Sequence, residues 1–94
     1  GDIRNKRVDQ LIRKNLKIRV LFVNDSAIVV DQFPTAKIIE KTSNGNIIEF
    51  VSQDTPGLKR WLLGQAESLR VLSPQSLIDD MKILIKKMEE NYID

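Results

Sequence analysis

The 94-residue chain is 41% hydrophobic and 30% charged, has a net charge of +2, and contains neither cysteine nor histidine. This composition predicts one folded domain and excludes disulfide frameworks, thiolate metal sites, Cys nucleophiles and histidine-based acid–base catalysis. The longest apolar runs, such as Val20–Val23 and Ala27–Val30, are far too short to span a bilayer, and a reduced, cytoplasmic setting is expected.

Residues 1–15 form a basic linker. Up to Arg19 the chain holds seven basic residues against Asp2 and Asp9, a net of +5 that leaves −3 for the remainder. Val8, Leu11 and Ile12 have helical spacing, so a short helix ending near Asn15 is predicted. Arg4, Lys6, Arg7, Arg13 and Lys14 are the candidate nucleic-acid contacts, of the weak, salt-dependent and sequence-independent kind.

Residues 16–94 are expected to form the domain itself. Lys17–Val23 (KIRVLFV) alternates as a strand, with Ile18, Val20 and Phe22 on one face. Asn24-Asp25-Ser26 supplies capping side chains for a short helix that Pro34 stops near Phe33. Ala36–Thr42 and Ile47–Ser52 are β-rich runs around Asn44-Gly45, a pair suited to a type I′ turn. A turn on those two residues sets Thr42 opposite Ile47, Glu40 opposite Glu49, and Ile39 opposite Phe50. Ile39, Ile48 and Phe50 are then expected on the core face.

Thr55 caps the next helix, with Pro56 at its first position, and Gly64 is expected to close it in the left-handed conformation. Leu58, Trp61 and Leu62 at i, i+3 and i+4 read as core anchors. Ser68–Leu72 is a strand with Leu69 and Val71 inward. Ser73 is expected to cap a long last helix starting at Pro74, whose stripe includes Leu77, Met81, Leu84, Ile85, Met88 and Tyr92. The predicted core is therefore Phe22, Phe50, Leu58, Trp61, Leu62, Val71, Met81 and Tyr92.

The order β-α-β-β-α-β followed by a helix is the α+β ferredoxin-like plan: a four-stranded antiparallel sheet, two helices on one face, and an added C-terminal helix. Little chemistry is available to it. The four glycines form no phosphate-binding loop, and no cofactor is expected. Glu40 and Glu49 are the one carboxylate pair placed to act together, but basic neighbours on the same half-exposed face favour a structural role. An enzyme is not expected.

The sheet face away from the helices is more telling. It is predicted to carry Arg19, Leu21, Val23, Ile38, Glu40, Ile47, Glu49, Val51, Arg70 and Leu72, too apolar a set for a solvated face. Either the last helix or a partner should cover it. Arg19, Leu21, Glu40, Glu49, Val51 and Arg70 are its candidate contact residues.

Taken together, Lys17–Val23, Phe33-Pro34, Asn44-Gly45, Leu58–Gly64, Val71–Pro74 and Tyr92 resemble the C-terminal extension, WCX, of WYL-domain transcriptional regulators. The resemblance spans roughly Leu16 to Tyr92. It implies a ferredoxin-like fold and a piece of a larger regulator, whose winged helix-turn-helix and Sm-like WYL domains would lie upstream. It also implies roles in dimerisation and in relaying or completing an effector response. Partners would be the WYL domain, a second protomer, and DNA through the helix-turn-helix domain. Ligand-sensing residues of that family lie in the WYL domain, so none carries over, and some members respond to single-stranded nucleic acid.

Two other readings stand beside it. A single-strand-binding module would need aromatics on the open sheet face, whereas Phe22 and Phe50 are predicted inward. A small-molecule-sensing ferredoxin-like domain would want a glycine-rich first turn, and Val23-Asn24-Asp25-Ser26 has no glycine.

Overall fold

A computed structural model describes residues 15–93. The helix expected in the basic arm, and the candidate contacts Arg4, Lys6, Arg7, Arg13 and Lys14, lie outside the described residues; Asn15 is the first residue of a strand.

Strand β1 (Asn15–Phe22) alternates as its sequence requires, with Ile18, Val20 and Phe22 essentially inaccessible. Helix α1 (Ala27–Gln32) is short. Its start is organised by the Asp25 carboxylate, which accepts the Ala27 N–H at 3.0 Å, while Ser26 makes no side-chain cap. Phe33 turns extended ahead of Pro34, as the steric demand of proline predicts.

Strands β2 (Lys37–Thr42) and β3 (Gly45–Gln53) form the hairpin, but not around the expected pair. Thr42 pairs with Gly45, so the loop is Ser43-Asn44. The Thr42 hydroxyl decides this: it accepts the Asn44 N–H at 3.1 Å and donates to the Gly45 carbonyl at 2.7 Å. Gly45, at φ +136°, takes the unusual conformation, and a Cβ there would lie 2.7 Å from the Phe22 carbonyl oxygen. Register then slips between Ile38 and Glu40, giving Ile38 opposite Ile48 and Glu40 opposite Ile47. Ile39 therefore occupies a bulge, faces no Phe50, and is 40% exposed rather than core. Glu49 opposes Lys37, not Glu40.

Helix α2 (Pro56–Gly64) starts as expected, the Thr55 hydroxyl accepting the Leu58 N–H at 3.1 Å. Its end differs. Gly64 stays helical, and the left-handed residue is Ala66, at φ 54°, inside a 3-10 turn over Ala66–Ser68. Strand β4 (Leu69–Ser73) absorbs Ser73, so helix α3 (Gln75–Glu90) follows Pro74 without a side-chain cap.

All strand pairings are antiparallel, in the order β2-β3-β1-β4. That is the ferredoxin-like arrangement with an added C-terminal helix. Its core joins the inner faces of β1 and β3 to Val29 and Phe33 near α1, Leu58 and Leu62 of α2, and Leu77 and Met81 of α3. Phe33 stacks on Phe50 with ring centroids 4.0 Å apart and meets Trp61 edge-on at 5.0 Å. Trp61 and Val71 pack against this core from its rim and are only partly buried, less than their predicted place inside it. Tyr92 leaves the core altogether: α3 has ended before it, and the ring is 88% exposed.

Candidate partner interface

The second face of the sheet is built by the other residues of the same strands. Pairing sets Arg19 opposite Glu49, Leu21 opposite both Ile47 and Arg70, and Lys17 opposite Val51. On the edge strand, Lys37 and Glu40 join this face through their register with Glu49 and Ile47. Ile38 does not, because the bulge turns it to the side of Ile48. Among the described residues no element covers this face. Both short helices lie on the opposite side, and α3 commits Leu77 and Met81 to that side too. Val51 is 40% and Leu72 38% exposed, while Leu21 and Ile47 are half-buried by their neighbours. The last helix is thus not the cover of this face.

Its polar centre is Glu49. The Arg19 guanidinium donates from Nε to Glu49 Oε2 at 2.9 Å, and Lys37 Nζ lies 4.0 Å from Oε1. The Arg19 hydrogen bond holds the Glu49 carboxyl below its ordinary value; burial opposes this, and the charges of Lys17, Arg19 and Lys37 add to it. Such a carboxylate stays ionised at neutral pH and is a poor general acid. Glu40, one strand out and offset along it, is exposed and does not approach Glu49 as a facing pair, so the acid–base arrangement considered from sequence does not form.

Of the six candidate contact residues, the fold brings Arg19, Leu21, Glu49, Val51 and Arg70 onto one continuous surface and leaves Glu40 at its margin. Lys17 and Lys37 also belong there. Lys17 could have been found from its parity with Arg19, whereas Lys37 depends on the bulge. Phe22 and Phe50 are each 1% exposed and point inward, so the face offers neither ring for base stacking.

A second apolar surface lies on α3. Beyond Met81, the stripe of α3 runs out past the core: Ile85 is 50%, Met88 48% and Ile93 64% exposed, next to Tyr92. Lys59 ties this helix to α2, lying 3.2 Å from Asp80 Oδ2 and 3.3 Å from Asp54 Oδ1. Its ammonium is held above its ordinary value, chiefly by the Asp80 bond, with Asp54 assisting and burial opposing.

Among the described residues, no three carboxylates gather in a way that could hold a metal ion, and no helix is long and apolar enough to cross a membrane. No curated protein matches the chain. A family model for the WCX domain matches residues 14–88.

Proposed function

Because the chain belongs to the WCX domain family, we propose that it is a non-catalytic regulatory and oligomerisation module of a WYL-type, helix-turn-helix transcriptional regulator. In this reading, the open sheet face and the overhanging end of α3 dock on the upstream WYL domain or on a second protomer. They contribute to dimerisation and to the effector response, in the cytoplasm, with DNA contacted through the helix-turn-helix domain.

One observation carries the proposal: the sheet presents Leu21, Ile47, Val51 and Leu72 around the Arg19–Glu49 pair with no cover among the described residues. Apolar area around a satisfied ion pair is the make-up of an interface core with a polar anchor. Rings available for stacking are missing from this face, which disfavours the single-strand-binding alternative.

Sedimentation velocity tests the proposal, run on the chain alone and after addition of a WYL domain. We expect self-association or complex formation that Leu21→Asp and Val51→Asp weaken at least about tenfold, roughly 1.4 kcal/mol, with the fold intact by circular dichroism. A strict monomer with and without the WYL domain would overturn it.

A further inference from the structure

The sheet has two edges, and they are finished differently. Along β2 the edge is blunted. The Thr35 hydroxyl accepts the Val51 N–H at 2.8 Å and donates to its carbonyl at 3.3 Å, Ile39 bulges, and Lys37 and Lys41 punctuate the strand. Bulges and lysines are the usual protection of an edge against strand addition.

β4 is bulged too, at Leu72 where its register with β1 shifts, but it carries no lysine, and the stretch Leu69–Val71 ahead of the bulge pairs regularly. Its ladder phase follows from the bond that the Val23 N–H donates to the Ser68 carbonyl at 3.0 Å, together with Leu21 opposite Arg70 and Val20 opposite Val71. Hydrogen-bonded and non-hydrogen-bonded pairs alternate in an antiparallel ladder. Arg70 therefore directs its backbone groups at β1, and Leu69 and Val71 direct theirs outward. Among the described residues nothing pairs with them. Beside this edge lies a groove of about 460 Å³ between β4 and α3, with Val71, Ile78, Met81 and Ile85 as apolar lining and Arg70 and Lys82 as its charged groups.

We infer that the β4 edge accepts an extended segment of a partner protein as a fifth strand, and that this segment alternates apolar with acidic residues. Main-chain hydrogen bonds to Leu69 and Val71 supply the affinity. Alternation supplies the selectivity: side chains on one side of the added strand enter the groove, and carboxylates on the other meet Arg70. Lys82 attracts a further acidic group at the groove's rim. Charge decides among occupants. A second copy brings its own Arg70 and Lys82 to the same edge, and residues 1–14, with five basic residues against Asp2 and Asp9, carry the same sign.

The site borders the open sheet face and shares Arg70 with it. Its test is fluorescence anisotropy on the full chain with labelled Glu-Val-Glu-Val-Glu-Val. We expect saturable binding, loss of at least tenfold on N-methylation of alternate peptide amides, and slowed amide exchange at Leu69 and Val71. The double variant Arg70→Glu/Lys82→Glu should reverse the preference toward Lys-Val-Lys-Val-Lys-Val, while Val51→Asp, opposite Lys17 and away from Arg70, leaves peptide binding unchanged. Three results would each overturn the inference: no saturation below about 1 mM, equal binding of the N-methylated peptide, or concentration-dependent protection of Leu69 and Val71 without peptide, which would mark a second copy.

Discussion

Val51 and Phe50 are neighbours in β3, yet one is 40% and the other 1% exposed, and the same contrast runs along the whole sheet. On the inner face, helix residues meet strand residues, and three aromatic rings interlock at Phe50, Phe33 and Trp61. On the outer face, comparable aliphatic side chains stand around a charged pair and meet no second layer among the described residues. Strand alternation supplies two apolar faces, but helices supply cover for only one. Under the proposed function, the apolar character of the outer face serves association.

The sharpest way to break that comparison is to truncate both neighbours. Phe50→Ala should cost about 3–5 kcal/mol in urea unfolding, a large part of the stability of a small domain. Val51→Ala should cost less than about 1 kcal/mol. Similar losses at the two positions would mean that the outer face is part of the folding core.

Glycines sharpen the same contrast at the level of backbone. Gly45→Ala places a Cβ against the Phe22 carbonyl in a left-handed conformation, and should cost about 1–3 kcal/mol by urea midpoint. Gly64→Ala, helical and with no atom within 4 Å of the new Cβ, should be neutral or stabilise by up to about 1 kcal/mol.

These residues also mark the limits of sequence reading. The order of elements, the inward residues of β1 and β3, and the Thr55-Pro56 helix start were legible, because strand alternation and capping act over two to four residues. The hairpin register was not. Asn44-Gly45 is a good turn pair, but the Thr42 hydroxyl satisfies the backbone one position earlier and puts Gly45 where only glycine approaches Phe22. The bulge at Ile39 then exchanges Glu40 for Lys37 beside Glu49, a substitution that no local pattern announces. Tyr92 fits the helical stripe of α3, yet the core stops short of it, because a periodic stripe specifies a direction and not the length of the surface it meets. Of the candidate site, the parity of Arg19, Leu21, Glu49, Val51 and Arg70 was readable, and its third cation was not.

Smaller effects separate the two sides by charge. Lys59 serves the covered side by joining α2 to α3. Its raised pKa means that its contribution is complete below the ordinary lysine value and is lost as pH rises through the raised one. Because Asp54 and Asp80 are partly exposed, Lys59→Met should cost at most about 1 kcal/mol at neutral pH, and should remove part of the alkaline fall in melting temperature. Glu49 serves the open side with the opposite sign. Its lowered pKa means a contribution present above the ordinary carboxylate value, about 4.3, and lost as pH falls through the lowered one. Glu49→Gln should flatten the acid limb of the stability profile and otherwise change the isolated chain least of all.

Hydroxyl-radical footprinting of the side chains on the two faces tests the central claim most directly. With the chain alone, Leu21, Val51 and Leu72 should be oxidised readily and Phe50 protected. When the chain is joined to a WYL domain or held in an oligomer, the account predicts strong protection of Leu21, Val51 and Leu72 with no change at Phe50. Equal oxidation of the three aliphatic residues in both states would contradict it.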